Sequence, residues 1–111
     1  MLRESQTAVV ARNETWTGKV ATEPYEAGWA REAVIFVRAL AAENVPAGCE
    51  ARVQLSPDGI RWVDEGSRFP LPAAADAMTF AKVHHFGNWL RIASELPDRS
   101  SLKALVTFHL K

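Results

Sequence analysis

The chain has 111 residues, of which 48% are hydrophobic and 23% charged, and thirteen Lys and Arg residues balance thirteen Asp and Glu residues to a formal net charge of zero. The apolar fraction excludes a disordered chain, and the length suits one domain, residues 1–111, with a single core. The zero balance argues against nucleic acid, bound through phosphate contacts, as the main partner. No stretch reaches the ~18 apolar residues of a membrane span, so no membrane partner is expected.

The N-terminus and the cysteine content indicate a compartment. Residues 1–6 contain no apolar stretch of signal-peptide length, so we expect a cytoplasmic or particle-associated protein without a signal peptide. The single cysteine, Cys49, allows no internal disulfide and rules out a Cys-rich zinc site. Its apolar position in a strand favours a small buried side chain over a reactive thiol.

The first third of the chain contains three predicted strands. Residues 7–11 and 15–21 are the first two, the second because Trp16, Gly18 and Val20 alternate with Thr15, Thr17 and Lys19. Residues 29–43 fit a helical stripe as well as a strand. The run from Val34 to Val37 is β-branched and aromatic and favours a strand, although the alanines favour a helix. A strand that is apolar on both faces is expected to be central.

The clearest strand is predicted over residues 49–55, where Cys49, Ala51, Val53 and Leu55 alternate with polar residues. The turn residues Ser56, Pro57, Asp58 and Gly59 follow it. Pro57 presets φ for a type I turn, and Gly59 suits the left-handed position of a G1 bulge. The sequence therefore predicts an antiparallel hairpin with a second strand at Ile60–Asp64.

The second half continues the pattern of short strands. Residues 73–77 are predicted to form one helical turn, and residues 78–83 and 89–93 to form strands. Residues 102–110 alternate strictly, except that Leu105 is apolar on the outer face, where it would cover a second surface or a partner. About eight strands in 111 residues predict an all-β, single-domain antiparallel β-sandwich or jelly roll.

Two segments carry a resemblance to known proteins. They are Ser56-Pro57-Asp58-Gly59-Ile60-Arg61-Trp62 and Phe86-Gly87-Asn88-Trp89-Leu90-Arg91-Ile92. This pair resembles the S-x-D-G-x-x-W hairpin and the later aromatic-hydrophobic-Arg-hydrophobic strand of galactose-binding-like (discoidin-type) jelly rolls. It is also similar to stretches of small β-sandwich proteins from phage and other bacterial particles. The resemblance implies a jelly-roll fold and assigns no ligand residue.

The histidines are the first candidates for a metal site. His84 and His85 are adjacent on a predicted strand and would point to opposite faces, so they would not chelate one ion there. His109 is the third histidine, and its spacing from the pair differs from that of a cupin. The sequence contains no nucleophile elbow, phosphate loop or dinucleotide fingerprint. We therefore expect no catalytic residue, no metal site and no cofactor.

Four tryptophans are many for this length. Trp62 and Trp89 lie inside predicted strands and are expected in the core or at its rim. Trp29, beside Tyr25 in a predicted loop, is the best exposed candidate. An exposed aromatic side chain there would stack on a sugar or anchor an interface.

Arginine outnumbers lysine nine to four. The arginines in or beside predicted strands are Arg31, Arg38, Arg52, Arg61 and Arg91. Two interpretations stay open for them. One is cross-strand pairing with Glu50 or Asp64. The other is a subunit interface of Arg, Trp and carboxylates, because the planar guanidinium pairs and stacks well at interfaces.

Three functions of different classes follow. The leading hypothesis is a non-catalytic structural or assembly subunit, a homo-oligomer or a partner of other assembly proteins, such as those of a phage-like particle. Its candidate contact residues are Tyr25, Trp29, Arg31, Arg52, Arg61 and Arg91. The alternative is a carbohydrate-binding module that uses Tyr25 and Trp29. The third is a small cupin-like metal enzyme that uses the histidines.

Overall fold

The computed structural model describes residues 5–111, and residues 1–4 of the predicted signal-free N-terminus lie outside the described part. Within residues 5–111 the chain forms nine strands and no helix, so no described helix is long enough to cross a membrane. The strands are β1 (Gln6–Trp16), β2 (Lys19–Ala21), β3 (Tyr25–Glu26), β4 (Glu32–Glu43), β5 (Glu50–Ser56), β6 (Val63–Pro70), β7 (Met78–His84), β8 (Trp89–Glu95) and β9 (Ser101–Leu110).

The strands form two antiparallel sheets that enclose one core. The four-stranded sheet has the order β1-β9-β4-β7. The five-stranded sheet has the order β2-β8-β5-β6, and the short β3 also pairs with β8. This arrangement confirms the predicted all-β, antiparallel β-sandwich. Every strand pair is antiparallel. Since successive side chains of a strand point to opposite sides, each sheet presents alternate side chains to the core and to the outside.

The core is filled by the inward side chains of the central strands. The large side chains with almost no exposed surface include Phe108, Ile35, Leu90, Ile92, Leu102, Leu110, Val37, Val53 and Val106. They come from β4, β5, β8 and β9, which lie in the middle of the two sheets. Branched side chains pack well between pleated sheets. The sequences of these strands are therefore apolar on at least one face.

The ambiguous segment 29–43 is a strand over residues 32–43, as predicted, whereas residues 29–31 lie outside it. β4 lies between β9 and β7, and it is therefore central. Its inward residues Ala33, Ile35, Val37 and Ala39 are buried, while Val34 and Phe36 on the other face are half-buried. The predicted strands 7–11, 78–83, 89–93 and 102–110 are also confirmed, within longer observed strands.

The prediction of one strand over residues 15–21 is wrong. Trp16 ends β1 in the four-stranded sheet, and Lys19 begins β2 in the five-stranded sheet. Between them, Gly18 has φ of 59°, a left-handed conformation that interrupts an extended strand and that glycine adopts without a steric cost. The alternation of Trp16, Gly18 and Val20 therefore spans a crossing between sheets.

The predicted hairpin exists, but its second strand begins later than expected. β5 and β6 pair antiparallel, with Leu55 opposite Val63 and Gln54 opposite Asp64. The prediction of a strand from Ile60 is therefore wrong. The cause is local. The side chain of Asp58 accepts hydrogen bonds of 2.9 Å from the backbone N–H groups of Ile60 and Arg61, so these groups do not pair with β5.

The helical turn predicted over residues 73–77 is also wrong. The N–H of Ala77 donates to the carbonyl of Ala74 at 3.0 Å, which closes a single β-turn. Asp76 has φ of 67° within that turn, and a left-handed residue cannot continue a right-handed helix. The helix propensity of the alanines favoured a helix there, but the chain forms the turn that leads into β7.

Candidate functional site

The outer face of the five-stranded sheet carries a network of polar and aromatic side chains. We call Arg52, Gln54, Trp62, Asp64 and Arg91 the Arg–Trp cluster. Gln54 lies opposite both Asp64 and Arg91 in the strand register, and this places the three side chains in one row across β6, β5 and β8. The register therefore assembles groups that are far apart in sequence.

Hydrogen bonds and one ion pair join this row. The Nε of Arg91 donates to Oε1 of Gln54 at 2.8 Å, and Nε2 of Gln54 donates to Oδ1 of Asp64 at 3.0 Å. The Nε of Arg52 lies 3.3 Å from the same carboxylate oxygen. Gln54 is only 8% exposed because its neighbours cover it on both sides. The cross-strand interpretation of Arg52 with Asp64 is confirmed.

The charges in the cluster shift two pKa values. The hydrogen bond from Gln54, and then the charges of Arg52 and Arg68, lower the pKa of Asp64 from its ordinary value of 3.8. Burial and the nearby charge of Arg52 lower the pKa of Arg91. A guanidinium stays protonated at any physiological pH, so Arg52 and Arg91 both carry positive charge, and Asp64 pairs with the charge of Arg52.

The loop after β5 brings Trp62 to the cluster. Ser56 Oγ donates to Asp58 Oδ1 and accepts the N–H groups of Asp58 and Gly59, and this holds the loop closed. These bonds account for the Ser56-Pro57-Asp58-Gly59 turn, in which Gly59 has φ of 78°. A Cβ on Gly59 would lie 3.3 Å from the Trp89 ring, so the loop packs directly on that indole.

Arg61 takes part in the loop and not in the cluster. Its Nη1 lies 3.3 Å from Oδ2 of Asp58, and its side chain is highly exposed. The hydrogen bonds from Arg61, Ile60 and Ser56 lower the pKa of Asp58 to about 2. The structure thus separates Arg61 from Arg52 and Arg91, although all three were grouped as candidate contact residues.

The other candidate contact residues lie apart from the cluster. Trp29 is 47% exposed, as expected for the best exposed tryptophan. The ring of Tyr25 packs edge-on against Phe108 at 5.9 Å, so Tyr25 is half-buried. Arg31 is exposed, and its backbone N–H donates to the carbonyl of Lys111. Tyr25 and Trp29 therefore differ in their access to a ligand.

The histidines and the cysteine were the candidates for chemistry. His85 follows β7 with φ of 54°, and its ring contacts that of His84 at 4.9 Å, so the prediction that the two point to opposite faces is wrong. Residues 5–111 hold no group of three or more metal-ligating side chains. Cys49 is buried, as predicted, and burial raises the pKa of its thiol.

A second surface, on the outside of the four-stranded sheet, carries several apolar side chains among polar ones. We call Val9, Val34, Phe36, Met78, Phe80 and Leu105 the apolar face. Phe36 lies opposite Phe80, with the ring centroids 6.1 Å apart, and its ring also contacts His109 edge-on at 5.0 Å. Met78 and Phe80 are more than half exposed. Leu105, the apolar exception noted in the sequence, lies on this face opposite Arg38.

Sequence reasoning missed parts of both surfaces. Trp62 was expected in a strand, but it lies in the loop and stacks on Arg91 with the guanidinium carbon 4.2 Å from the ring centroid. Gln54 was interpreted only as an outward polar residue. Phe36 and Phe80 were not named as candidates for a surface. The apolar character of both faces of β4 could have indicated Phe36.

Comparison of the sequence with models of protein families and with curated proteins found no match. The two outer surfaces are therefore the basis for assigning a function.

Proposed function

We propose that this protein is a non-catalytic structural subunit that associates with copies of itself through the apolar face. The observation that carries the proposal is the pair of Phe36 in central β4 and Phe80 in edge strand β7 on an outer sheet surface, where Phe80 is 54% exposed. In the register Thr107 lies between Val9 and Phe36, and Arg38 lies between Leu105 and Met78. Large exposed apolar side chains gathered on one sheet surface nevertheless mark association surfaces.

The outer surface of the whole four-stranded sheet, which contains the apolar face, is large enough for a second copy. Four strands at ~4.8 Å spacing and a β4 of 12 residues give a surface of roughly 20 by 40 Å. That area is close to the ~800 Å² that each partner contributes to a stable protein interface. A twofold axis near Phe36 would pack Phe36 and Phe80 of one copy against those of the other.

Two ion pairs accompany the apolar side chains of this surface. Arg38, which lies between Leu105 and Met78 in the register, forms an ion pair of 3.0 Å with Asp76, and Lys111 forms one of 3.9 Å with Glu32. Apolar side chains beside paired, solvated charges are common in protein interfaces. The zero net charge of the chain adds little long-range repulsion between copies.

The resemblance that the sequence suggests for residues 56–62 and 86–92, to small β-sandwich proteins of phage-like particles, is an expectation of the same class of function. Carbohydrate binding through Tyr25 and Trp29 is the weaker proposal, because the Tyr25 ring is packed on Phe108 and its hydroxyl accepts a hydrogen bond from Gln6 at 3.4 Å. Trp29 alone then offers an exposed aromatic surface.

The test is the solution mass at micromolar concentration. By sedimentation velocity, we expect the wild type at no less than twice 12.3 kDa and Phe80→Lys at 12.3 kDa. Val63→Lys is the matched control, since Val63 is also an exposed strand residue but lies in the other sheet, and it should keep the wild-type mass. A monomeric wild type, or equal effects of the two substitutions, would contradict the proposal.

A further inference from the structure

The outer face of the five-stranded sheet contains a groove of about 360 Å³ beside the Arg–Trp cluster. Its floor consists of Ala21 in β2 and Ala93 in β8, which lie opposite each other in the register, and Arg52 lies opposite Ala93 in β5. We call this depression the alanine groove. Ala93 points away from the core cluster yet is only 5% exposed, because longer side chains stand around it.

The charged residues that line the alanine groove are mainly cationic. Lys19, Arg52 and Arg91 carry positive charge, and Glu95 carries the one negative charge among the lining residues. Within residues 5–111 no carboxylate lies within ion-pair distance of Arg91, and its Nε donates to the neutral amide of Gln54. Asp64, outside the lining, pairs with Arg52, so the excess of positive charge in the groove comes from Lys19 and Arg91 against the single Glu95.

Arg91 is held in place before any ligand arrives. Its guanidinium stacks on Trp62, and its Nε is bonded to Gln54, so two contacts fix the plane of the group. The four N–H bonds of its terminal nitrogens have no acceptor among the described side chains. A fixed guanidinium with free terminal donors matches the two oxygens of a carboxylate or phosphate, and little side-chain entropy is lost on binding.

We propose that the alanine groove binds a small ligand through an oxyanion, either a carboxylate or a phosphate, with Arg91 as the principal contact and with Arg52 and Lys19 as supporting charges. The small floor residues leave room for the ligand, and the volume is at the lower end of small-molecule sites. This site lies on the opposite side of the sandwich from the apolar face, so it does not depend on self-association.

The experiment is an NMR titration of the full chain with sodium succinate and, separately, with inorganic phosphate, at constant ionic strength set with chloride. We expect saturable shifts centred on the amide of Ala93 and the Nε–H of Arg91 for at least one of the two anions. The anion with the lower dissociation constant identifies the class of oxyanion. Shifts that stay linear and equal to those caused by chloride for both anions would overturn the proposal.

Variants distinguish binding at a specific site from non-specific attraction of an anion to positive charge. Arg91→Gln should raise the dissociation constant at least tenfold, whereas Arg12→Gln, the same charge change at an exposed position of the other sheet, should change it less than twofold. Ala21→Glu, at an exposed position, places a carboxylate in the groove beside unaltered arginines and should abolish saturation. Thermal unfolding confirms that each variant is folded. Equal weakening by Arg91→Gln and Arg12→Gln, or unchanged binding by Ala21→Glu, would overturn the proposal.

Discussion

The guanidinium carbon of Arg91 lies 4.2 Å from the centroid of the Trp62 ring, although the two residues are 29 positions apart and Trp62 lies in a loop. The contact depends on two features that meet there. The loop held by Ser56 and Asp58 turns Trp62 over the sheet, and the pairing of β5 with β8 brings Arg91 beneath it. Stacking on an indole stabilises a guanidinium while leaving its edge free for other partners.

The first prediction concerns the energy of this stack. Trp62→Ala should lower the free energy of unfolding by about 1–2 kcal/mol, since it removes both the stacking and the partial burial of the indole. A double-mutant cycle with Arg91→Gln should give a coupling energy of about 0.5–1 kcal/mol by urea unfolding.

Trp29→Ala is the control for that cycle, because Trp29 is an exposed tryptophan that is not among the residues that stack on or hydrogen-bond to Arg91. We expect a change within about 0.5 kcal/mol and additivity with Arg91→Gln. A coupling energy of zero between Trp62 and Arg91 would show that the stacked geometry contributes nothing to stability.

The second prediction concerns Gln54, which bridges Arg91 and Asp64. Gln54→Leu should raise the pKa of Asp64 toward 3.8, because the hydrogen bond from Gln54 is the largest cause of its lowering. The pKa of Asp58 should stay at about 2, since its partners all lie in the loop. Carbon-detected NMR titration of the carboxyl groups measures both values. An unchanged Asp64 would mean that its pKa depends on the arginines alone.

Sequence reasoning succeeded where the cause is local. Strands were predicted correctly from the strict alternation of residues 49–55 and 102–110, and the hairpin from the turn residues after Leu55. Alternate burial and turn formation both depend on residues that are neighbours in the sequence. The β-branched run Val34–Val37 decided correctly between helix and strand for the same reason. These elements were sufficient to predict the β-sandwich.

The candidate surfaces could be predicted only in part, because they depend on register. Arg52 and Arg91 were named as candidates, but their distance from each other depends on the pairing of β5 with β8, which no local pattern encodes. Trp62 was expected in a strand because the capture of the Ile60 and Arg61 N–H groups by Asp58 could not be foreseen. The exposure of Phe80 likewise follows from which side of the sheet has no covering layer.

The third prediction concerns Gly59, which combines a left-handed φ with close approach to Trp89. Gly59→Ala should lower the free energy of unfolding by about 1–2 kcal/mol, because the new Cβ is strained in this conformation and crowds the indole. Gly48→Ala is the matched control, since a Cβ at Gly48 meets no atom within 4 Å and its φ is not left-handed. Equal effects of the two substitutions in urea unfolding would contradict this role of Gly59.

The last prediction concerns acid sensitivity. The folded-state pKa of Asp58 is about 2, against an ordinary value of 3.8, because the N–H groups of Arg61 and Ile60 and the hydroxyl of Ser56 favour the charged carboxylate. A lowered pKa means that the unfolded chain binds the proton more tightly. The stabilisation from this group is therefore complete above about pH 4 and is lost as the pH falls through about 2. Asp58→Asn keeps a side-chain acceptor for the turn but cannot titrate. Its melting temperature should fall less between pH 4.5 and 2 than that of the wild type, as measured by circular dichroism, and parallel curves for the two proteins would refute the assignment.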